Sequence, residues 1–555
     1  LRLRLGALAV LPTVFLGVFF IWPIVALINR ARHDAAGGSL SDTLERTHAW
    51  HLLGFTLGQA AASTLLTIVV AAPISWLVAR VDFAGSRVVL VAVTVPFVLP
   101  TVVVGIAFRT VFDGPLLFLH ATSGLSPILA AHVFLNVAVV VRVVAAAWQG
   151  IDERASEAAR TLGATPFRAF ITVTLPRLLP ALAGAAALVF LFCSTSFGVI
   201  IILGNGDLQT LETEIYTRAI GYFQISDAVV LSILQIVVVL AALGLVRLCG
   251  ASGSGAADGP MAPQRRGRRR RVTGAARGVV VAICAWVGLW LVAPLLVLAI
   301  WSVRPQSGGP WTLAGYRSLG RTVNGVTPLE TLGYSAFSAV VAAVVAVVIG
   351  TLGAYVIARG GRVLGGIGNV VSTLPLGISA VTLGFGYLIL LAAMPREVRM
   401  SPLIIPAVQS LIAIPVVVRI VVPALDAVGL RVRQAAATLG APPWRVWWTV
   451  ELPAVARSLG AAAGFAFVMA LGEFGATGFL ALPDTTTLPV LIGSALNKPG
   501  ADQLATAMSC SMLLVFATTA AVLLIEVVGA REMVERDSTN APPSPLVKPS
   551  PLVEP

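Results

Sequence analysis

Apolar residues in this 555-residue chain come in long unbroken blocks, not at the every-second-position spacing of a half-buried strand. A helix that crosses a bilayer needs ~20 mostly apolar residues. Twelve blocks reach that length, at about 5–29, 56–79, 88–112, 125–147, 181–204, 228–248, 278–302, 333–358, 367–394, 402–425, 458–482 and 505–528. Outer-membrane barrels alternate polar and apolar residues over ~10-residue segments, and no such alternation runs here. The pattern predicts an all-α integral membrane protein with about twelve transmembrane helices. Arg2 and Arg4 precede the first block as in a secretory leader. That block exceeds the ~7–15 apolar residues of a leader core and lacks a clear small-residue cleavage site, so we take it as a retained first span. Residues 250–277 are rich in Gly, Ser, Pro and Arg without apolar periodicity and read as a flexible linker. Residues 537–555 repeat Pro-Ser-Pro-Leu-Val and read as a disordered tail.

The chain also resembles itself. Val139-Val140-Val141-Arg142 matches Val416-Val417-Val418-Arg419 at an offset of 277 residues. Leu162-Gly163-Ala164, Leu175-Pro176, Phe197-Gly198 and Thr210-Leu211 find their counterparts at the same offset. Upstream, Ala79-Arg80, Pro96 and Gly105 match Ala358-Arg359, Pro375 and Gly384 at an offset of 279. A constant register across loops marks an internal repeat. The chain divides into two homologous six-span halves, 1–249 and 278–536, in parallel orientation, because six crossings return the chain to the side it left.

Composition narrows the class further. The chain is 57% hydrophobic and 11% charged, with a mean hydropathy of +0.92, where a soluble domain carries ~25% charged residues. A soluble protein and a disordered one are both excluded. The net charge of +13 does not point to nucleic acid. With the N-terminus inside, inside segments hold 25 of the 38 basic residues, outside segments 10, and Arg109, Arg142 and Arg419 lie within spans. That bias puts both termini and the linker in the cytoplasm. Arg142 and Arg419 sit near the cytoplasmic ends of their spans and Arg109 near an outer end, where snorkelling accounts for them. Cys193, Cys249, Cys284 and Cys510 form no paired motif. The five histidines show no ligand spacing beyond His48 and His51, three apart on an outer loop. No metal site is expected.

Two loops carry the most specific signal. Between spans four and five stand Glu157-Ala158-Ala159, then Gly163, Phe167-Arg168, and Leu175-Pro176. The second half repeats them as Gln434-Ala435-Ala436, Gly440, Trp444-Arg445 and Leu452-Pro453. Both follow the pattern E-A-A, three residues, Gly, nine residues, Ile, one residue, Leu-Pro, with Val for Ile in both copies and Gln434 for Glu in the second. This resembles the cytoplasmic coupling loop of binding-protein-dependent ABC importer permeases (type I). The likeness extends over most of spans two to six and eight to twelve. The fused twelve-span form resembles ferric-iron and thiamine importer permeases, through Ser194-Thr195-Ser196-Phe197-Gly198-Val199 with Thr210 to Tyr216, and through Gly472-Glu473-Phe474-Gly475-Ala476-Thr477 with Thr487-Leu488-Pro489.

The resemblance implies partners: two ATP-binding cassette subunits at the loops, and a binding protein that delivers substrate from outside. Small Ala158, Ala159, Ala435 and Ala436 let a short helix sit in a partner's groove. Gly163 and Gly440 suit the positive φ that ends such a helix. Pro176 and Pro453 suit the start of the next one. Phe167 and Trp444 are candidate apolar anchors, Arg168 and Arg445 candidate partners for acidic groups. A Walker A loop needs Gly-Lys before Ser or Thr. The only lysines, Lys498 and Lys548, do not follow Gly. The chain is therefore expected to bind no cofactor itself and not to be the ATPase, ATP residing on the partner subunits.

For the pathway, ionisable groups inside spans are the default candidates. Glu473 lies in the eleventh block, and its counterpart is Ser196 within Ser194-Thr195-Ser196. Hydroxyls bonding back to the preceding turn are the alternative for the serines and threonine, and pairing with an Arg is the alternative for Glu473. Pro96, Pro100 and Pro375 are expected to kink their helices. An ion-coupled secondary transporter is the runner-up, since parallel repeats also occur there. It needs buried coupling-ion carboxylates, of which only Glu473 is visible, and it leaves the paired loops unexplained. Composition does not choose between ferric iron and thiamine.

Overall fold

The computed structural model describes residues 2–35, 40–83, 85–116, 124–251, 270–271, 275–304, 310–322, 326–498 and 500–539. These residues are helical apart from turns, connecting segments and one two-residue parallel pairing, Val81–Asp82 with Arg270–Arg271. Ten helices among them are long and apolar enough to cross a bilayer. They are Gly6–His33, Ala49–Arg80, Leu125–Gly150, Pro166–Ser194, Ile225–Leu245, Arg277–Val303, Pro328–Arg359, Ile404–Ala427, Pro443–Leu471 and Ala501–Leu524, matching every expected span except the third and ninth. Most of the linker, and residues 540–555 of the tail, lie outside the described residues. The last helix, Ala501–Thr539, runs past the expected start of that tail.

The third and ninth spans exist as broken helices. Ser86–Val98 and Thr101–Asp113 meet at 104° across Leu99 and Pro100. Pro100 forces its neighbour out of helical geometry, and Leu99 is extended at φ −69°, ψ 141°. In the ninth, Gly361–Thr373 passes through a tight turn, Leu374–Gly377, that contains Pro375, and restarts as Ala380–Ala392. Ser379 caps that restart by accepting a hydrogen bond from the Thr382 N–H.

Spans five and eleven correct the expected boundaries. Their helices begin at Pro166 and Pro443 and end at Ser194 and Leu471, well upstream of the blocks at 181–204 and 458–482. Leu175-Pro176 and Leu452-Pro453 therefore do not open new helices after a loop. Each lies inside a continuous span, directly after a single π turn, Phe170–Thr174 or Trp447–Glu451. A proline has no N–H to donate to the preceding turn, and one extra residue in that turn accommodates it. Both spans end where the chain breaks and folds back, into the short helices Gly198–Leu203 and Thr477–Leu480.

The two halves interlock. The first span packs on spans eight and nine of the other half, and span seven packs on span three of the first. Within each half the restarted segment of the broken span crosses the short fold-back helix at glycine. A Cβ on Gly105 would stand 3.0 Å from the Cβ of Ile202, and one on Gly198 would stand 3.0 Å from the Val102 nitrogen. In the second half a Cβ on Gly384 would stand 2.6 Å from the Ala476 Cα, and one on Gly475 3.0 Å from the Ala380 Cβ. The repeated glycines thus mark the same backbone crossing twice.

Because Gly384 faces backbone, Gly384→Ala should overpack the crossing and destabilise the protein by about 1–3 kcal/mol. Thermal unfolding of the purified permease in detergent reads this as a lowered Tm. An unshifted Tm shows that the crossing yields freely.

Candidate functional site

The loops between spans four and five and between spans ten and eleven each fold as a short helix, Arg154–Thr161 and Leu430–Thr438. Both end in the same hydrogen-bonded cap. Gly163 stands at φ +91° and donates to the Arg160 carbonyl, while Ala164 donates to Ala159 at 3.0 Å. Gly440 stands at φ +81° and donates to Ala437, while Ala441 donates to Ala436 at 3.1 Å. This pairing satisfies the last carbonyls of each helix and needs a residue that tolerates positive φ. The cap projects apolar side chains away from the protein: Leu162 is 89% exposed, Phe167 72%, Leu439 87% and Trp444 66%. Glu157, Ala158, Arg168, Gln434, Ala435 and Arg445 are also exposed, whereas Ala159 and Ala436 are half-buried.

What pins these helices to the membrane bundle was not visible as a motif. At the end of span two, Arg80 donates to Glu153 at 2.8 Å and to the Ile151 carbonyl at 3.3 Å. Its counterpart Arg359, at the end of span eight, donates to Glu451 at 3.0 Å and to the Leu425 carbonyl at 2.8 Å. Arg433 on the second motif helix closes on the same Glu451 at 2.9 Å. The arginines occupy equivalent places, and the carboxylates do not. Glu153 precedes the first motif helix, whereas Glu451 sits in the π turn of span eleven with its side chain 1% exposed. In the sequence these clamps show only as the repeated pair Ala79-Arg80 and Ala358-Arg359.

The candidate pathway residues cluster where spans five and eleven break. Ser194 and Thr195 both donate to the Leu191 carbonyl, at 2.9 and 3.0 Å, the local bonding that competes with a pathway role. The Ser196 hydroxyl is buried with no hydrogen-bond partner. Glu473 is turned to its own backbone: its two oxygens accept from the Ala476 N–H at 2.7 Å and the Thr477 N–H at 3.0 Å. It caps the fold-back helix Thr477–Leu480 instead of pairing with an Arg.

Next to these breaks, Phe197 and Phe474 stack with ring centroids 5.1 Å apart and planes at 22°. They are equivalent residues of the two halves, so the stack lies on the pseudo-twofold axis. Tyr216 packs on Phe197 at 5.1 Å and on Phe479 at 5.2 Å. One turn before Tyr216 lies Glu212, fully buried although it falls between the apolar blocks 181–204 and 228–248. It accepts from Gln235 Nε2 at 2.6 Å and from the Ser379 hydroxyl of the other half at 2.7 Å. The apolar run ended at Leu203, and nothing in the pattern signalled that the chain folds back into the bundle beyond it.

On the face opposite the motif helices, Arg46 and Arg218 converge on Asp227 at 2.6 and 2.8 Å. The hydrogen bond to that carboxylate, with its charge, holds the Arg46 guanidinium above its ordinary pKa. Among the described residues, no three His, Cys, Asp or Glu side chains gather as a metal-ligand set.

Residues 69–249 match the family described as binding-protein-dependent transport system inner membrane component. The chain is 28% identical over 483 residues, covering 84% of itself and 86% of the relative, to a thiamine transport system permease protein of Brucella abortus (strain 2308). It is 26% identical over 473 residues, 82% of itself and 86% of the relative, to the corresponding thiamine permease of Escherichia coli (strain K12). It is 30% identical over 210 residues, 36% of itself and 74% of the relative, to a probable sulfate transport system permease protein of Nephroselmis olivacea.

The arginine clamps differ in burial, and that difference sets an expected order. Glu451→Ala leaves Arg359, whose side chain is 8% exposed, with Asp426 at 3.9 Å as its remaining carboxylate; breaking the buried pair should cost up to about 3–5 kcal/mol. Glu153→Ala removes a partner that is 27% exposed and should cost about 1 kcal/mol or less. Unfolding of the purified variants in detergent compares the two, and equal shifts in Tm refute the order.

Proposed function

The chain belongs to the binding-protein-dependent transport system inner membrane components, and as the permease subunit of an ATP-driven importer we propose that it carries a thiamine-class cation and takes its force from two ATP-binding subunits seated on the two motif helices. The exposed apolar tips of those helices carry this reading. Leu162 and Phe167 in one half, and Leu439 and Trp444 in the other, flank polar segments outside the spans. Two equivalent tips suit two equivalent partners. Each tip is rigidly linked to its bundle, by the Arg80 or Arg359 clamp and by a helix that continues into span five or eleven. A pull on a motif helix therefore moves a helix that ends at the central break.

The proposed orientation puts the motif helices, both termini and the linker on the cytoplasmic face. The basic-residue bias supports it. So does the pairing of Arg270–Arg271 with Val81–Asp82, next to Arg80, which brings the linker to the face that carries the first motif helix. ATP would be hydrolysed on the partner subunits. A substrate-binding protein would dock on the opposite face, where Tyr222 and Phe223 are 66% and 79% exposed. The substrate class rests on the thiamine permeases, which match over four fifths of the chain. A secondary transporter leaves the capped, outward-pointing helices without a task.

Three measurements check this reading. Uptake should stop when cellular ATP is depleted with the proton gradient intact, and continued uptake refutes an ATP-driven permease. At Gly163→Val and Gly440→Val the added Cβ meets nothing within 4 Å, so the main cost is the positive φ, about 1–2 kcal/mol. Transport-coupled ATP hydrolysis should fall while membrane insertion survives, and Glu157→Ala should reduce uptake more than Gln434→Ala. Wild-type coupling in all four variants removes the helices from the interface. For orientation, a membrane-impermeant thiol reagent should label a Cys placed at Ser41 and spare one placed at Ser254 in intact cells; the opposite pattern inverts the topology.

A further inference from the structure

We propose that Phe197, Phe474, Tyr216 and Glu212 form the transit site of this permease, an aromatic slot with one carboxylate that selects a flat organic cation as the halves part. The inference rests on the thiamine-class reading and names the residues that read the substrate.

Symmetry supplies the place. A path shared by two equivalent halves runs along their pseudo-twofold axis, and the Phe197–Phe474 stack occupies that axis with both residues under 10% exposed. In this closed state each ring satisfies the other. When the halves separate, two near-parallel aromatic faces are left facing a gap. A third ring in van der Waals contact on both sides requires the two to stand about 7–8 Å apart, a modest widening from 5.1 Å.

Charge supplies the sign. Glu212 is entirely buried, and both of its hydrogen-bond partners are neutral. A buried carboxylate without a cation is costly in a membrane protein. Its neighbourhood also holds more acceptors than donors. Gln235 spends its amide N–H groups on Glu212 and the Ser194 carbonyl, while its own Oε1 is buried and unbonded. The Ser196 hydroxyl, next to Phe197 in the chain, is buried and unbonded and can donate or accept. A cation bearing N–H donors meets these needs together. A bare trivalent metal ion calls for several anionic oxygens, and this site offers one carboxylate among aromatic rings. The site is one-sided, because the residue equivalent to Glu212 is Pro489.

The test uses the complete transporter, permease with ATP-binding subunits and binding protein, in proteoliposomes with radiolabelled thiamine. Glu212→Gln keeps the shape and the bond from Gln235, meets the Ser379 hydroxyl through its own N–H, and loses the charge; Glu212→Asp keeps the charge and spoils the fit. A cation site predicts that Gln lowers uptake at least tenfold while Asp retains a third or more of it. A packing role predicts the opposite order, and that order overturns the proposal, as does failure of the isosteric Gln variant to assemble. Phe474→Leu should lower uptake by about two- to tenfold, the range of a lost aromatic contact; unchanged uptake in that variant overturns the slot. Thiamine uptake by the wild type with Gln equal to Asp rejects the site alone. A wild type that takes up no thiamine rejects the substrate class and the site with it.

Discussion

A helix that breaks inside a bilayer exposes backbone N–H and C=O groups that lipid cannot satisfy, and this constraint organises the centre of the protein. Spans three, five, nine and eleven all break, and side chains from neighbouring elements take up the freed groups. The Cys193 carbonyl at the end of span five accepts from Gln59 of span two at 2.8 Å. The equivalent Ala470 carbonyl accepts from Gln409 of span ten at 2.9 Å. Where the chain restarts, the Leu211 N–H donates to the Thr56 hydroxyl at 3.1 Å and the Leu488 N–H to the Ser335 hydroxyl at 2.7 Å. Ser379 and Glu473 cap the restarts at Ala380 and Thr477. The unbroken spans therefore serve as a frame of donors and acceptors around an irregular middle. The glycine crossings let the broken pieces approach closely enough to be covered.

That frame explains what the sequence disclosed and what it hid. Long apolar runs fixed the unbroken spans within a few residues, because burial in lipid demands continuous hydrophobicity. The motif glycines were legible because positive φ leaves a narrow choice of residue, and the two caps are closed by the same bonds. The starts of spans five and eleven were hidden. Arg168 and Arg445 look like loop residues, yet the helix needs no apolar residues before it enters the membrane, and a π turn lets it run through Pro176 and Pro453. Glu212 was hidden for the opposite reason: a carboxylate in a short polar run reads as exposed unless the fold-back is known, and fold-back is a tertiary fact. Glu473 was recognised as buried, but its capping of Ala476 and Thr477 depends on a break that hydropathy does not register.

The two halves form an internal comparison that separates structural demands from residue choice. The carbonyl at the end of span five or eleven must find a donor, and Gln59 or Gln409 supplies it from different spans. Arg80 and Arg359 keep one position while their carboxylates move from Glu153 to Glu451. In these places the physical requirement is held and the side chain that meets it varies, as a scaffold permits. The axis behaves differently. Phe197 and Phe474 are the same residue, stacked on each other, although neither ring makes a hydrogen bond that a break requires.

Glu212 makes the contrast sharper. Its counterpart Pro489 sits at the start of the helix Leu488–Leu496 and has no acceptor on its side chain, so the fold of a half is attainable without a carboxylate there. Glu212 ties to Ser379 across the halves, and a side chain that does not ionise could make that bond without the cost of burying a carboxyl group. A costly group with no demand from the fold is best explained by what passes between the halves. Ser379 already caps its own helix through the Thr382 N–H, so parting the halves costs that helix nothing. The bond to Glu212 can open while both breaks stay satisfied; its carboxylate then keeps only the bond from Gln235, whereas the neighbouring buried carboxylate, Glu473, stays bound to the Ala476 and Thr477 N–H groups.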